Sequence, residues 1–298
     1  MPSLGAHAVR IMLRVTTKLP AVRKIRGPNL LSNYRRVIGR GELLFGRLPR
    51  GLARVPVEDA KAGVRGEWVI DATRPAARTV VYYIHGGGYV AGSPAMYRTL
   101  TGAFCVRCAA RVFALEYRLA PEHRFPAAVH DAVAGYQWLL ASGVAPREIV
   151  IAGDSAGGGL ALSTLLALRD AGLALPAGAV LIAPWVDLAA SRDPVAADRG
   201  ESRMAQAYVG DRPLDDPLAS GLYAELHGLP PLMIQASTIE MLRDDAVRLD
   251  AKARAAGVDS TLRLWDGVPH VWHIFAGLRE SREAFVDIAR FVARITGG

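Results

Sequence analysis

The chain has 298 residues, 51% of them hydrophobic and 21% charged, enough apolar material for one large domain with a sizeable core and incompatible with a disordered polypeptide. No Ser/Gly/Pro-rich linker divides it, no stretch reaches the apolar length of a membrane span, and its two cysteines cannot build a disulfide framework. The formal net charge of +8 is uneven: Arg10, Arg14, Lys18, Arg23, Lys24, Arg26, Arg35, Arg36, Arg40, Arg47, Arg50 and Arg54 share their stretch with a single acid, Glu42. A solvated helical face accounts for this more simply than a membrane surface contacted through the basic arm. Nucleic-acid binding ranks lower still, because no basic-aromatic interleaving accompanies the charge. Arg10 and Arg14 also interrupt the apolar core a signal peptide needs, so the expected location is the cytoplasm.

Residues 1 to about 50 carry apolar residues at loose helical spacing, with Pro20 and Pro28 as breakers, and are expected to form helices outside the main sheet. Strands are expected at Glu67–Ile70 and Arg78–Ile84, the second apolar enough to lie centrally. Cys105 and Cys108 fall inside a helical pattern, where two thiols three residues apart read as packing groups before they read as a redox pair. Strands and helices then alternate: strand 111–117, helix 126–142, strand 148–152, helix 156–170, strand 178–183, strand 231–236, helix 241–256, strand 260–265 and helix 282–295. In the last helix Phe285, Ile288, Phe291, Val292 and Ile295 share one face. This alternation implies a mainly parallel sheet covered by helices on both sides, with a site along the C-terminal edge of the strands. The interval 187–230 breaks the rhythm and reads as an inserted cap or a disordered loop.

The most informative stretch is Ile149-Val150-Ile151-Ala152-Gly153-Asp154-Ser155-Ala156-Gly157-Gly158-Gly159, a β-branched run that enters a G-x-S-x-G core and passes straight into a helical pattern. This is the pattern of a nucleophile elbow, which presents Ser155 above the sheet while the following helix aims unpaired N–H groups at the reacting atom. A serine hydroxyl needs a base to take its proton, and the base needs a third group to hold its tautomer. Both are available in the order serine, acid, histidine: Glu240 follows the strand Pro231–Ser237, and His270 follows the strand Thr261–Trp265. Upstream, His85-Gly86-Gly87-Gly88-Tyr89 closes the strand Val80–Ile84, and its glycines let backbone N–H groups approach a substrate oxygen. The expected oxyanion donors are the amides of Gly87, Gly88 and Ala156, with His85, Gly86 and Asp154 as supporting motif residues.

Three segments, His85-Gly86-Gly87-Gly88, Tyr117–Ala128 (YRLAPEHRFPAA) and Gly153-Asp154-Ser155-Ala156-Gly157-Gly158, closely resemble the hormone-sensitive-lipase-like bacterial esterases, or family IV, from about residue 40 to the end. The resemblance implies an α/β-hydrolase fold, with a mostly parallel central sheet flanked by helices under a helical cap. Residues 1–50 would form the N-terminal part of the cap and residues 51–298 the catalytic domain, with a second cap segment inserted at about 187–230. It further implies a carboxylesterase acting on short- to medium-chain acyl esters without metal or organic cofactor. The segment Tyr117–Pro126 would be an architectural turn, so that Glu122 and His123 are not catalytic. The family's D-P-L-x-D acid motif is replaced by Glu240-Met241-Leu242-Arg243-Asp244, which puts Glu240 where the family has its catalytic aspartate.

Competing assignments remain for several residues. Asp244 and Asp245 fit a structural role in a first helical turn better than that of the acid. His273 begins a segment with Trp272, Ile274 and Phe275 that reads as packed, so His270 is preferred. Asp187 precedes the expected acid position and reads as a loop anchor. Tyr89, Trp185 and Trp272 either line the substrate pocket or fill the core. No histidine pair has metal-ligand spacing. An amidase or deacetylase using the same triad, and a non-catalytic small-molecule receptor on a hydrolase scaffold, are the alternative functions. Small-molecule esters are the expected partners, and a homodimer paired through a sheet edge is left open.

Overall fold

Eight strands form one sheet in the order β1-β2-β4-β3-β5-β6-β7-β8. In this computed structural model, which describes residues 2–9, 29–192 and 201–297, the strands are β1 (Leu52–Asp59), β2 (Val64–Asp71), β3 (Val80–Ile84), β4 (Arg111–Leu115), β5 (Ile149–Asp154), β6 (Gly178–Ile182), β7 (Leu232–Ser237) and β8 (Ser260–Trp265). The hairpin β1-β2 is antiparallel and joins β4 antiparallel, while every pairing from β4 through β8 is parallel. The basic residues from Arg10 to Arg26 and the cap residues 193–200 lie outside the described residues.

The central strands read as continuous apolar runs because both of their faces are covered. Tyr82, Ile84, Phe113, Ile151, Leu181 and Ile234 point to one side. There they meet α3 (Ala127–Ala141), α4 (Ala156–Asp170) and α6 (Arg243–Ala255) through Tyr136, Leu160, Leu165 and Leu249. Their neighbours Val81, Tyr83, Val112, Val150, Val180 and Met233 point to the other side, against α2 (Arg98–Arg107) and α7 (Arg279–Thr296). On α7 the expected stripe is in place: Phe285, Ile288, Phe291 and Val292 are buried and Ile295 partly so. Each fully buried side chain of this kind stabilises the fold by about 1.5–3 kcal/mol.

One element departs from the expectation and one open alternative is narrowed. Strand β1 has no sequence signature, because it lies at the sheet edge with most residues exposed or half-buried and contains Pro56, which only an edge tolerates. The interval after Asp187 is ordered where it is described: it contains α5 (Glu201–Val209) and a short turn at Gly221–Tyr223. Ser220 holds it in place, its Oγ donating to Leu214 O (2.6 Å) and accepting from Leu188 N (2.9 Å). From the N-terminal side, α1 (Leu30–Phe45) packs on the short turn Pro94–Tyr97.

The crossing of β3, β5 and α4 fixes where the site lies. Gly157, in the first turn of α4, sits so close to β3 that an added Cβ would meet Ile84 O at 2.2 Å and His85 O at 2.5 Å. Both are backbone atoms and neither can swing aside. Gly157→Ala is therefore expected to lower stability by about 1–3 kcal/mol through overpacking, read as a lower urea midpoint at unchanged slope; an unchanged midpoint would show that the two elements are not so tightly apposed.

Candidate active site

Ser155 stands between β5 and α4 at φ 52° and ψ −123°. For a residue with a Cβ this conformation costs about 1–3 kcal/mol and persists only where its surroundings impose it. Here they do: Ser155 N donates to Ile182 O (2.8 Å), and Ser155 O accepts from Trp185 N (2.9 Å) and Gly159 N (3.1 Å). The side chain is half-buried at the strand's C-terminal end, as the elbow pattern predicts.

Glu240 and His270 are brought together from the loops after β7 and β8. Glu240 Oε2 accepts a hydrogen bond from His270 Nδ1, and Glu240 Oε1 accepts one from Ser237 N at 2.5 Å. The glutamate side chain has no exposed surface, whereas that of His270 keeps 28%. With Nδ1 turned to the carboxylate, Nε2 is the ring nitrogen left for other partners. Burial opposes a charge on the ring, but the hydrogen bond and charge of Glu240, with Asp154 and Glu201 nearby, hold the His270 pKa above the ordinary histidine value. The imidazole in turn acts on the carboxyl of Asp154, the residue before Ser155. No hydrogen bond joins Ser155 Oγ to His270 among the described residues; in unliganded enzymes such contacts are commonly long.

The glycine loop after β3 is held from below by Asp154. Its Oδ1 accepts from Gly86 N (2.9 Å) and from the Tyr83 hydroxyl, and burial pushes its pKa up to about 6. Gly86 N–H is thus engaged, while the N–H groups of Gly87 and Gly88 have no acceptor among the described residues. Ala156 is the first residue of α4, so its N–H has no partner within the helix. Gly87 adopts φ 120°, and a Cβ there would lie 2.1 Å from Ala91 O. His85 is buried and stacked on Tyr117 (4.3 Å between centroids), with Nδ1 donating to Gly86 O at 2.8 Å. Burial lowers its pKa to about 4, so it is a neutral loop brace.

A family profile described as the alpha/beta hydrolase fold matches residues 81–274. The acetyl-hydrolase of Streptomyces hygroscopicus is 44% identical over 241 residues, covering 78% of this chain and 80% of that protein. The crystal structure of an esterase from the bacterial hormone-sensitive lipase family aligns with TM-score 0.88 at 38% identity, covering 99% of each chain. The chain belongs to the hormone-sensitive-lipase-like (family IV) esterases of the α/β-hydrolase fold. It is a carboxylic ester hydrolase of the serine esterase and lipase-like kind. The crystal structure of EstE5 soaked with p-nitrophenyl butyrate aligns equally well, with TM-score 0.89 at 38% identity over 99% of this chain and all of that one.

The other acids and aromatic groups of this esterase have separate tasks. Asp245 accepts from Val186 N (3.0 Å) and Asp187 N (2.9 Å), fastening the loop after β6, and burial pushes its pKa up to about 7. Asp187 binds Arg248 (2.7 Å) and the Tyr223 hydroxyl (3.0 Å), and Asp244 is an exposed partner of Arg243. His273 is wholly buried, bonded through Nε2 to Gln235 Oε1 at 2.6 Å, with its pKa pushed down to about 3 by burial. Tyr89 and Trp185 are buried beside Tyr208 of α5, whose ring stacks on Tyr89 at 3.8 Å. Trp272 is completely buried in a separate cluster with Ala6, Val268, Leu278 and Ala284. Cys105 and Cys108 are free thiols whose pKa values burial pushes up to about 11 and about 12. No helix among the described residues is long and apolar enough to cross a membrane.

The sequence did not point to the cap residues at the site. An added Cβ on Gly88 would meet Met204 Sδ at 2.6 Å, and the Asp154 carboxylate raises the pKa of Tyr34 on α1, after burial, to about 12. Neither residue belongs to a motif, and each is far from its partner along the chain.

Because Glu240 raises the His270 pKa and the neutral imidazole is the form able to take a proton, Glu240→Gln is expected to move the acid limb of the kcat/KM profile to lower pH. It should also reduce kcat by about a thousandfold or more through loss of tautomer control. Asp244→Asn, on an exposed carboxylate, should leave kcat within about twofold. The reverse pattern would reassign the acid.

Proposed function

We infer that this esterase hydrolyses short- to medium-chain acyl esters through an acyl-serine intermediate, with Ser155 as nucleophile, His270 as base and Glu240 as orienting acid. The observation that carries the reading is the Glu240–His270 pair: a carboxylate held by Ser237 N fixes the Nδ1–H tautomer and frees Nε2 as the basic nitrogen. In the proposed cycle Ser155 Oγ attacks the ester carbonyl as its proton passes to His270 Nε2. The resulting oxyanion is received by the N–H groups of Gly87, Gly88 and Ala156, which have no acceptors among the described residues. Collapse expels the alkoxide, which takes the proton from Nε2. Water then attacks the acyl-serine, giving its proton to Nε2, and collapse returns that proton to Ser155 Oγ.

The acyl range is supported from two sides. The cap brings Met204 against Gly88 and the Tyr208 ring against Tyr89, which also packs on Trp185, so large side chains crowd the carbonyl end of the site. Among the relatives, one is an acetyl-hydrolase and one was soaked with a butyrate ester. A location in the cytoplasm and Tyr89 and Trp185 as pocket walls belong to the same proposal.

Ser155→Ala is expected to abolish hydrolysis of p-nitrophenyl acetate and butyrate, and a fluorophosphonate should label the wild type at Ser155 and not the variant. Retained turnover, or labelling at another residue, would contradict the assignment. Across p-nitrophenyl esters of rising acyl length, kcat/KM should peak at short to medium chains; a maximum at long chains would overturn the stated range.

A further inference from the structure

One guanidinium ties the N-terminal helix α1 to the glycine loop. Arg35, on α1, donates from Nε to Val90 O (2.6 Å) and from Nη2 to Ala120 O (2.7 Å), and its Nη1 and Nη2 both bind Glu122, at 2.6 and 2.5 Å. Val90 and Ala120 are fully buried, so their carbonyls need donors from within the protein. The ion pair itself is a minor contribution, since Glu122 is 56% exposed and Arg35 34%. The two carbonyl bonds are the consequential part.

Val90 belongs to the turn that sets the oxyanion loop. Gly87 O accepts from Val90 N (3.2 Å) and Ala91 N (3.0 Å), and Ala120 N donates to Tyr89 O at 3.0 Å. In a trans peptide the C=O of Gly87 and the N–H of Gly88 point in opposite directions. Whatever holds Val90 and Ala91 under Gly87 O therefore aims Gly88 N–H away from the turn, where the proposed oxyanion forms. We propose that Arg35 is a positioning residue for this hole: by tying Val90 O and Ala120 O to the cap helix, it sets the direction of the Gly88 N–H and makes the hole's geometry depend on docking of α1. The proposal rests on the oxyanion assignment above.

Arg35 also lines a cavity of about 490 Å³ together with Ala91, Tyr117 and Glu122. Removing the Arg35 side chain would extend that cavity toward the two carbonyls and admit water to them, so Arg35→Ala is expected to fold while its loop loses its fixed direction. A lysine places one ammonium where the guanidinium serves three acceptors, so Arg35→Lys should restore only part of the effect.

The test compares wild type, Arg35→Ala and Arg35→Lys. Kinetics on p-nitrophenyl butyrate are set beside inhibition by an alkyl trifluoromethyl ketone, whose serine adduct carries the oxyanion. Amide hydrogen exchange is followed at residues 86–91. The expected result for Arg35→Ala is a kcat about tenfold lower with KM little changed, a Ki for the ketone raised by a similar factor, and faster exchange in the loop; losing a whole oxyanion donor costs about a hundredfold or more. A purely structural role would lower thermal stability without raising Ki relative to KM. Unchanged kcat and Ki, or a fall in kcat with Ki unaltered, overturns the proposal. If Arg35→Ala does not accumulate folded, Arg35→Lys is judged by the same split. Wild-type protein unreactive to fluorophosphonate would instead sink the oxyanion reading itself, while the exchange rates would still report whether Arg35 holds the loop.

Discussion

Ser155 is held at a backbone conformation that a residue with a side chain avoids, and much of the surrounding architecture keeps it there. Its amide is tied to β6 through Ile182, and its carbonyl to Trp185 just beyond that strand. The β6 loop is fastened in turn by Asp245, through the amides of Val186 and Asp187, from the start of the helix that follows the Glu240 loop. Ser155 and the Glu240 loop are thus placed by elements that hold one another. The strain is sustained because several buried hydrogen bonds would have to break together for the serine to relax.

Polar groups beneath the site are arranged on the same principle. Asp154 is buried, yet it accepts from Gly86 N and Tyr83 and lies within the field of His270, so its carboxylate supports the glycine loop from below. His85 and His273 are buried where burial makes them neutral, and each fixes a loop by a hydrogen bond. His270 alone of these three has a carboxylate bonded to it and keeps part of its surface exposed. The difference between a bracing and a titrating histidine here is the neighbour, not the residue type.

Most of the fold was legible because its central strands are buried on both faces and its last helix carries a clear stripe: Val80–Ile84 and the α7 face could be read from hydrophobic pattern alone. Strand β1 was not, since an exposed edge imposes no pattern on Leu52–Asp59. At the candidate site, Ser155, Glu240 and His270 stand out through local rules, a glycine elbow and positions just after strands, and the structure bonds Glu240 to His270. Arg35, Tyr34 and Met204 follow no such rule. Arg35 and Met204 reach the glycine loop, and Tyr34 the field of Asp154, from segments some fifty residues or more away along the chain, and only tertiary packing brings them there.

The most direct measurement is a crystal structure of the esterase with an alkylboronic acid, which forms a tetrahedral adduct on an activated serine. The expected result is boron bonded to Ser155 Oγ, with one boronate oxygen about 2.7–3.1 Å from the amide nitrogens of Gly87, Gly88 and Ala156, and a second near His270 Nε2. Boron bonded to another residue, or an adduct on Ser155 whose oxygens all face away from those amides, would contradict it.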